Sequence, residues 1–170
     1  HEALRNERAR VLRAIRPLNS SDIIRGQFSD YHQEPGTAPD SQVETFAAAR
    51  FFVDSPRWAG VPFYVRAGKR LAVTATEVVV YLKRPLQPIL DEVQVPLANF
   101  YRFRLSPSVV IAFGTKVKKT GELMVGERIE LVACHHSTDE MDPYERLLGD
   151  AFKGDATLFA REDGVESSWR

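Results

Sequence analysis

Three cations fall within a five-residue stretch at Arg66, Lys69 and Arg70, with Gly68 among them. This mixture suits an anion: glycine lets the backbone come close, lysine brings a mobile point charge, and arginine offers a flat fork of donors. The knot closes a short apolar run from Val61 to Val65, which Gly60 and Pro62 introduce as a turn. A basic cluster after a strand is ordinarily a solvated strand end, so spacing alone makes the anion clamp a candidate. Cys134-His135-His136 invites a metal. Adjacent strand side chains point to opposite faces, and a zinc site needs about four converging ligands, so no metal is expected there. A lone strand cysteine reads as core, and His32 has no partner nearby that would make it a catalytic base. Neither G-x-G-x-x-G nor a P-loop occurs, so the chain carries no recognisable dinucleotide site of its own.

The wider stretch around the knot is Arg57-Trp58-Ala59-Gly60-Val61-Pro62-Phe63-Tyr64-Val65-Arg66-Ala67-Gly68-Lys69-Arg70-Leu71. It resembles the R-W-x-G-V-P-F-x-x-R-x-G-K-x-L signature of the glucose-6-phosphate dehydrogenase family. Further stretches agree in order: Val11 to Pro17, Arg25 to Phe28, Glu44 to Ala48, Asp142 to Leu148, Gly154 to Phe159, and the closing Trp169. The resemblance covers almost the whole chain, and only that family's C-terminal, larger-sheet domain. It implies that residues 1–170 form this domain and that the N-terminal NADP-binding domain is absent. The family's histidine–aspartate pair, on an R-I-D-H-Y-x-G-K-E segment, would lie in that absent part. Lys69 then falls on the lysine that helps hold the sugar phosphate, with Arg66 and Arg70 as further substrate-binding candidates. Thr74 stands where the family commonly has a second basic residue, and Ser106 replaces a glutamine before a proline.

Composition sets wider bounds. The 170 residues predict one domain with a real core, and 44% hydrophobic with 27% charged residues is ordinary for a globular protein. Lys+Arg and Asp+Glu balance at 23 each, so no net field would draw in nucleic acid or an anionic membrane. Apolar runs are too short to span a bilayer, and no signal segment opens the chain. A single cysteine favours a reducing compartment, which points to the cytoplasm. Asn19-Ser20-Ser21 matches a glycosylation sequon, without other signs of secretion.

The elements that must position the knot follow from periodicity. Glu2 to Arg16 reads as an amphipathic helix, with Leu4, Val11, Leu12 and Ile15 on one face, stopped by Pro17. Residues 17–41 form a long connection with a short strand near Arg25 to Phe28. Glu44 to Val53 mixes helix-favouring alanines with strand-favouring Phe51-Phe52-Val53, and the resemblance implies a strand. Thr76 to Leu82, Phe100 to Leu105, Val109 to Val117 and Arg128 to Cys134 are apolar, mostly period-two runs joined without helices, so they are largely antiparallel neighbours. Pro85 closes the first of these runs. Asp142-Pro143-Tyr144-Glu145 starts a helix whose stripe, Tyr144, Leu147, Leu148, Ala151 and Phe152, calls for a sheet to pack on. A last helical piece runs towards Trp169.

The fold class is therefore α+β, a large mainly antiparallel sheet with helices packed on one face. By resemblance, the chain is the substrate-binding and oligomerising part of an NADP-dependent enzyme that oxidises glucose 6-phosphate to 6-phosphogluconolactone in the pentose phosphate pathway. NADP would be bound mainly by the absent domain, and this chain would be inactive alone. The twin chain of a homodimer or tetramer would meet it through the sheet. Thr74 and Ser106 favour an alternative, a diverged scaffold or binding module. An RNA-binding sheet resting on Arg102, Arg104 and their aromatic neighbours is disfavoured by the charge balance.

Overall fold

A computed structural model of the chain describes residues 2–84, 98–121, 123–135 and 141–169. The elements are α1 (Glu2–Arg13), β1 (Ile23–Gly26), β2 (Phe46–Phe51), β3 (Phe63–Gly68), β4 (Thr76–Tyr81), β5 (Phe100–Ser106), β6 (Val109–Lys118), β7 (Gly126–His135), α2 (Pro143–Phe152) and α3 (Glu162–Ser168). Short 3-10 turns occupy Ser20–Asp22, Tyr31–Gln33 and Pro56–Trp58. All the named strand pairs are antiparallel, and the α+β class holds. The strands divide between two sheets, β1-β2-β3 and β4-β5-β6-β7, whereas the period-two runs predict one large sheet. The reason is local. Arg70 takes φ of 52°, which ends the extended conformation after β3, and residues 71–75 form no ladder before β4. Pro85 and His136 lie outside the described residues.

The chain accordingly forms two compact units, His1–Leu71 with Met141–Arg170, and Ala72–Glu140. In the first, α1 packs on α3. Val11, Leu12 and Ile15 of the expected stripe are half-buried, while Leu4 stays 53% exposed and Ala9 is buried. Arg161 fixes the pair by donating to Glu2 Oε1 at 2.7 Å and Asn6 Oδ1 at 2.8 Å, and Arg13 pairs with Asp163 at 3.1 Å. After α1 the chain joins the exit of β2 through an Ile15–Val53 bridge and an Arg16–Asp54 ion pair. In the same unit, α2 starts as its sequence dictates, with Asp142 Oδ1 accepting from the Tyr144 and Glu145 amides at 2.8 and 3.4 Å. Its apolar stripe does not gain the covering expected of it: Tyr144 and Leu148 are exposed and Phe152 is 91% exposed. Capping is a local interaction, so the helix forms whether or not its stripe is buried.

In the second unit, register sorts the side chains by face. Val80, Tyr101, Phe113 and Leu131 align on one face, joined by Val78, Phe103 and Ile111. The opposite face carries the Arg102–Glu130 and Arg104–Glu77 ion pairs, each at 2.6 Å. There Phe100, 6% exposed, lies across from Gly114, and its ring occupies the space that a Gly114 side chain would need.

Candidate anion-binding site at the end of strand β3

Strand β3 runs antiparallel to β2, with Arg66 opposite Ala48 and Gly68 opposite Phe46. The ladder extends one residue further, because the Lys69 amide donates to Thr45 O at 2.8 Å. Thr45 is a hub: its own amide donates to Gly26 O at 2.9 Å, and its Oγ1 accepts from the Phe28 amide at 2.9 Å. Gly68 is required by a close approach. A Cβ there would stand 2.9 Å from Phe46 Cδ2 and 3.2 Å from Thr45 O. The glycine therefore admits the neighbouring strand, where its position in the sequence suggests a ligand.

The three sequence-predicted cations are neighbours along the chain, yet they do not converge. Arg66 is exposed and alternates onto the face of Tyr64 and Gly68. Lys69 is exposed too, and the extended ladder assigns it to the face of Val65 and Ala67. Among the described residues, neither has a side-chain hydrogen bond or ion pair. Arg70 differs from both. Its guanidinium lies over the Phe28 ring, 4.8 Å from the centroid, and its Nη2 donates to Glu34 Oε1. Glu34, Phe28 and Thr45 are the residues that sequence reasoning missed. Glu34 and Phe28 sit in the long connection, where no periodicity marks them.

The remaining candidates lie elsewhere. His32 is exposed and tilted against Tyr31 at 5.6 Å between centroids. Cys134 and His135 face Val110 and Val109 across the ladder and so alternate onto opposite faces. Cys134 is exposed, where a lone strand cysteine predicts burial, because the face of β7 that it shares with the exposed Val132 is uncovered. Among the described residues, no group of three or more His, Cys, Asp or Glu is placed to hold a metal. Arg102 and Arg104 are engaged by Glu130 and Glu77. Thr74 is exposed between β3 and β4, and Ser106 ends β5. An open recess of about 460 Å³, lined by Arg16, Phe52, Val53, Asp54 and Gly60 among others, lies towards the opposite end of β2 from Thr45. Among the described residues, no helix is long and apolar enough to cross a membrane. Among the described residues, no strand leads through a glycine-rich turn into a helix towards a parallel neighbour.

Fold and strand end together define a class: an antiparallel α+β domain that presents exposed cations at the end of a strand. The family model "Glucose-6-phosphate dehydrogenase, C-terminal domain" matches residues 1–170, and the chain belongs to that family. Over 99% of its length it is 37% identical to a glucose-6-phosphate 1-dehydrogenase of Aggregatibacter actinomycetemcomitans, covering 37% of that protein. The corresponding enzyme of Bacillus subtilis is 35% identical, with 99% and 38% covered. A crystal structure of glucose-6-phosphate 1-dehydrogenase from Mycobacterium avium superposes with a TM-score of 0.87 at 36% identity, over 99% of this chain and 36% of that one. A glucose-6-phosphate dehydrogenase in complex with its substrate glucose 6-phosphate gives 0.81 at 29% identity, over 99% and 37%. The chain thus spans little more than a third of the length of these relatives.

Proposed function

We propose that this chain supplies the sugar-phosphate grip and the self-association surface of an NADP-dependent dehydrogenase that oxidises glucose 6-phosphate to 6-phosphogluconolactone in the cytoplasm. One observation carries the reading: Lys69 offers an exposed ammonium with no described partner from a backbone fixed to Thr45. A phosphate dianion rewards such a donor, since a hydrogen bond to a charged group is worth about 1.5–3 kcal/mol. Arg66, likewise without a described partner, alternates onto the opposite face and makes no bond to the same ligand. NADP and the hydride chemistry belong to polypeptide beyond the matched third of the relatives, so this chain by itself binds and orients without oxidising.

The test uses the full-length polypeptide that carries this chain. Lys69→Ala is expected to raise KM for glucose 6-phosphate roughly 10- to 150-fold, the equivalent of one charge-assisted bond. An unchanged KM refutes the phosphate role. The 170-residue chain alone, mixed with NADP and glucose 6-phosphate, is expected to give no change in nicotinamide absorbance.

Self-association follows from the apolar face of the four-stranded sheet. Val78, Val80, Tyr101, Ile111 and Leu131 are exposed there, and a contiguous apolar face of this kind marks an interaction surface. A twin chain would bury it reciprocally in a homodimer or within a tetramer. Sedimentation showing only monomer at high concentration refutes this. Thr74 and Ser106 favour the second reading, a scaffold that has lost the sugar site. No turnover of glucose 6-phosphate by the parent full-length polypeptide, together with retained self-association, selects that alternative.

A further inference from the structure

We propose that Arg70, Glu34 and Phe28 form a clamp that positions Lys69, with Arg70 as a positioning residue in place of a substrate ligand. This inference rests on the reading of Lys69 as the phosphate ligand.

Arg70 is the one non-glycine residue at positive φ among those described. A side chain with a Cβ resists that conformation, so it persists only where its surroundings impose it. Here they do so twice. The guanidinium stacks over Phe28 at 4.8 Å and pairs with the Glu34 carboxylate. Both partners are themselves anchored. Phe28 donates its amide to Thr45 Oγ1 at 2.9 Å and meets Tyr31 edge-on at 5.7 Å, while the Glu34 amide donates to Tyr31 O at 3.1 Å.

Lys69 is therefore bracketed. On its N-terminal side the ladder bond to Thr45 fixes the peptide, and on its C-terminal side the left-handed Arg70 fixes the next one. A lysine stem is flexible, so the aim of its ammonium depends on how firmly its Cα is held. A direct role for Arg70 in gripping phosphate fits poorly, because a carboxylate already occupies its fork and would repel an incoming dianion. If the clamp is lost, residue 70 relaxes towards ordinary φ, and the competent geometry becomes a fraction of the population. Apparent affinity falls by that fraction.

Steady-state kinetics of the full-length polypeptide with glucose 6-phosphate test this. Arg70→Ala is expected to raise KM about fivefold with little change in kcat, as a conformational population loss would. Arg70→Gly, for which positive φ carries no steric cost, should return KM to within about twofold of the parent. In the Lys69→Ala background, Arg70→Ala should add nothing further, because it acts through Lys69. Should Arg70→Ala fail to fold, Glu34→Gln and Phe28→Leu carry the same expectation. An Arg70→Ala KM equal to the parent's, an Arg70→Gly as impaired as Arg70→Ala, or an effect that multiplies that of Lys69→Ala would each overturn the clamp. Lys69→Ala without any KM effect overturns the phosphate reading and the clamp with it. Multiplying effects alongside an impaired Lys69→Ala overturn the clamp alone.

Discussion

Replacing Gly68 by alanine tests the geometry on which Lys69 depends. The added methyl group would stand 2.9 Å from Phe46 Cδ2, a distance real Cβ contacts essentially never show, and 3.2 Å from Thr45 O. Thr45 O cannot retreat freely, because it accepts the Lys69 amide and its residue also binds Gly26 and Phe28. The Phe46 ring can turn only within its half-buried site. Relief therefore requires β2 and β3 to part at this end. Overpacking of this kind costs about 1–3 kcal/mol. The local readout is hydrogen exchange at the Lys69 amide, whose protection should fall roughly 5- to 150-fold, the same energy expressed as an equilibrium. In the full-length polypeptide, KM for glucose 6-phosphate should rise in parallel. Gly60→Ala is the control. Its Cβ would meet nothing within 4 Å, but φ of +74° imposes about 1–2 kcal/mol of backbone cost away from Lys69. That variant should lose stability and keep its KM. If Gly68→Ala left the Lys69 amide as protected as before, the close-approach argument would be refuted.

In Gly114→Ala, a Cβ would lie 1.9 Å from Phe100 Cε1 beneath a ring that Arg128 covers at 4.8 Å, so at least about 3 kcal/mol should be lost; hydrogen exchange across β5 and β6 would show it, and unchanged protection would contradict it. Asp142→Ala removes the acceptor for the Tyr144 and Glu145 amides, and should cost about 0.5–2 kcal/mol, read as faster exchange in the first turn of α2 but not in α1. The Asp163 carboxyl is held below the ordinary aspartate value of 3.8, first by its hydrogen bond from Arg161 and also by the charges of Arg161 and Arg13. A depressed native value means that the unfolded chain binds more protons. Stability from this group is thus fully present above the unfolded value and is lost as pH falls through the lower native one. Protection of the α3 amides, taken relative to the intrinsic exchange rate at each pH, should fall only in acid, below about that ordinary value, and Asp163→Asn should abolish the dependence; loss of protection already near neutral pH would contradict the assignment.

The parts of the fold legible from sequence are those in which one neighbour dictates the next. Strands β5, β6 and β7 announce themselves by alternation because one face is apolar, and slipping their register by one residue would turn that face over. The start of α2 is equally local, since Asp142, Pro143 and Glu145 are contiguous. Strand β2 is ambiguous for a physical reason. Ala47, Ala48 and Ala49 favour helix as isolated residues, but pairing with both β1 and β3 overrides that propensity. The stripe of α1 is legible in part: Val11, Leu12 and Ile15 are half-buried as their spacing predicts, whereas Leu4, at the start of the helix, is exposed.

The site divides along the same line. Residue types in the knot are plain, but whether a cation is free depends on partners far along the chain. Glu34, which engages Arg70, lies 36 residues away in a stretch without periodicity. One signal was nonetheless present in the spacing. Arg66 and Lys69 differ by an odd number, so an extended strand must send them to opposite faces. Three adjacent positive charges therefore do not make one threefold grip. The strand's pleat separates the first two, and the left-handed turn reserves the third for Glu34 and Phe28. On the face of Val65 and Ala67 the Lys69 ammonium stands without a described partner. Arg66→Ala should consequently leave KM for glucose 6-phosphate within about twofold of the parent, and a rise as large as that of Lys69→Ala would refute the separation of faces.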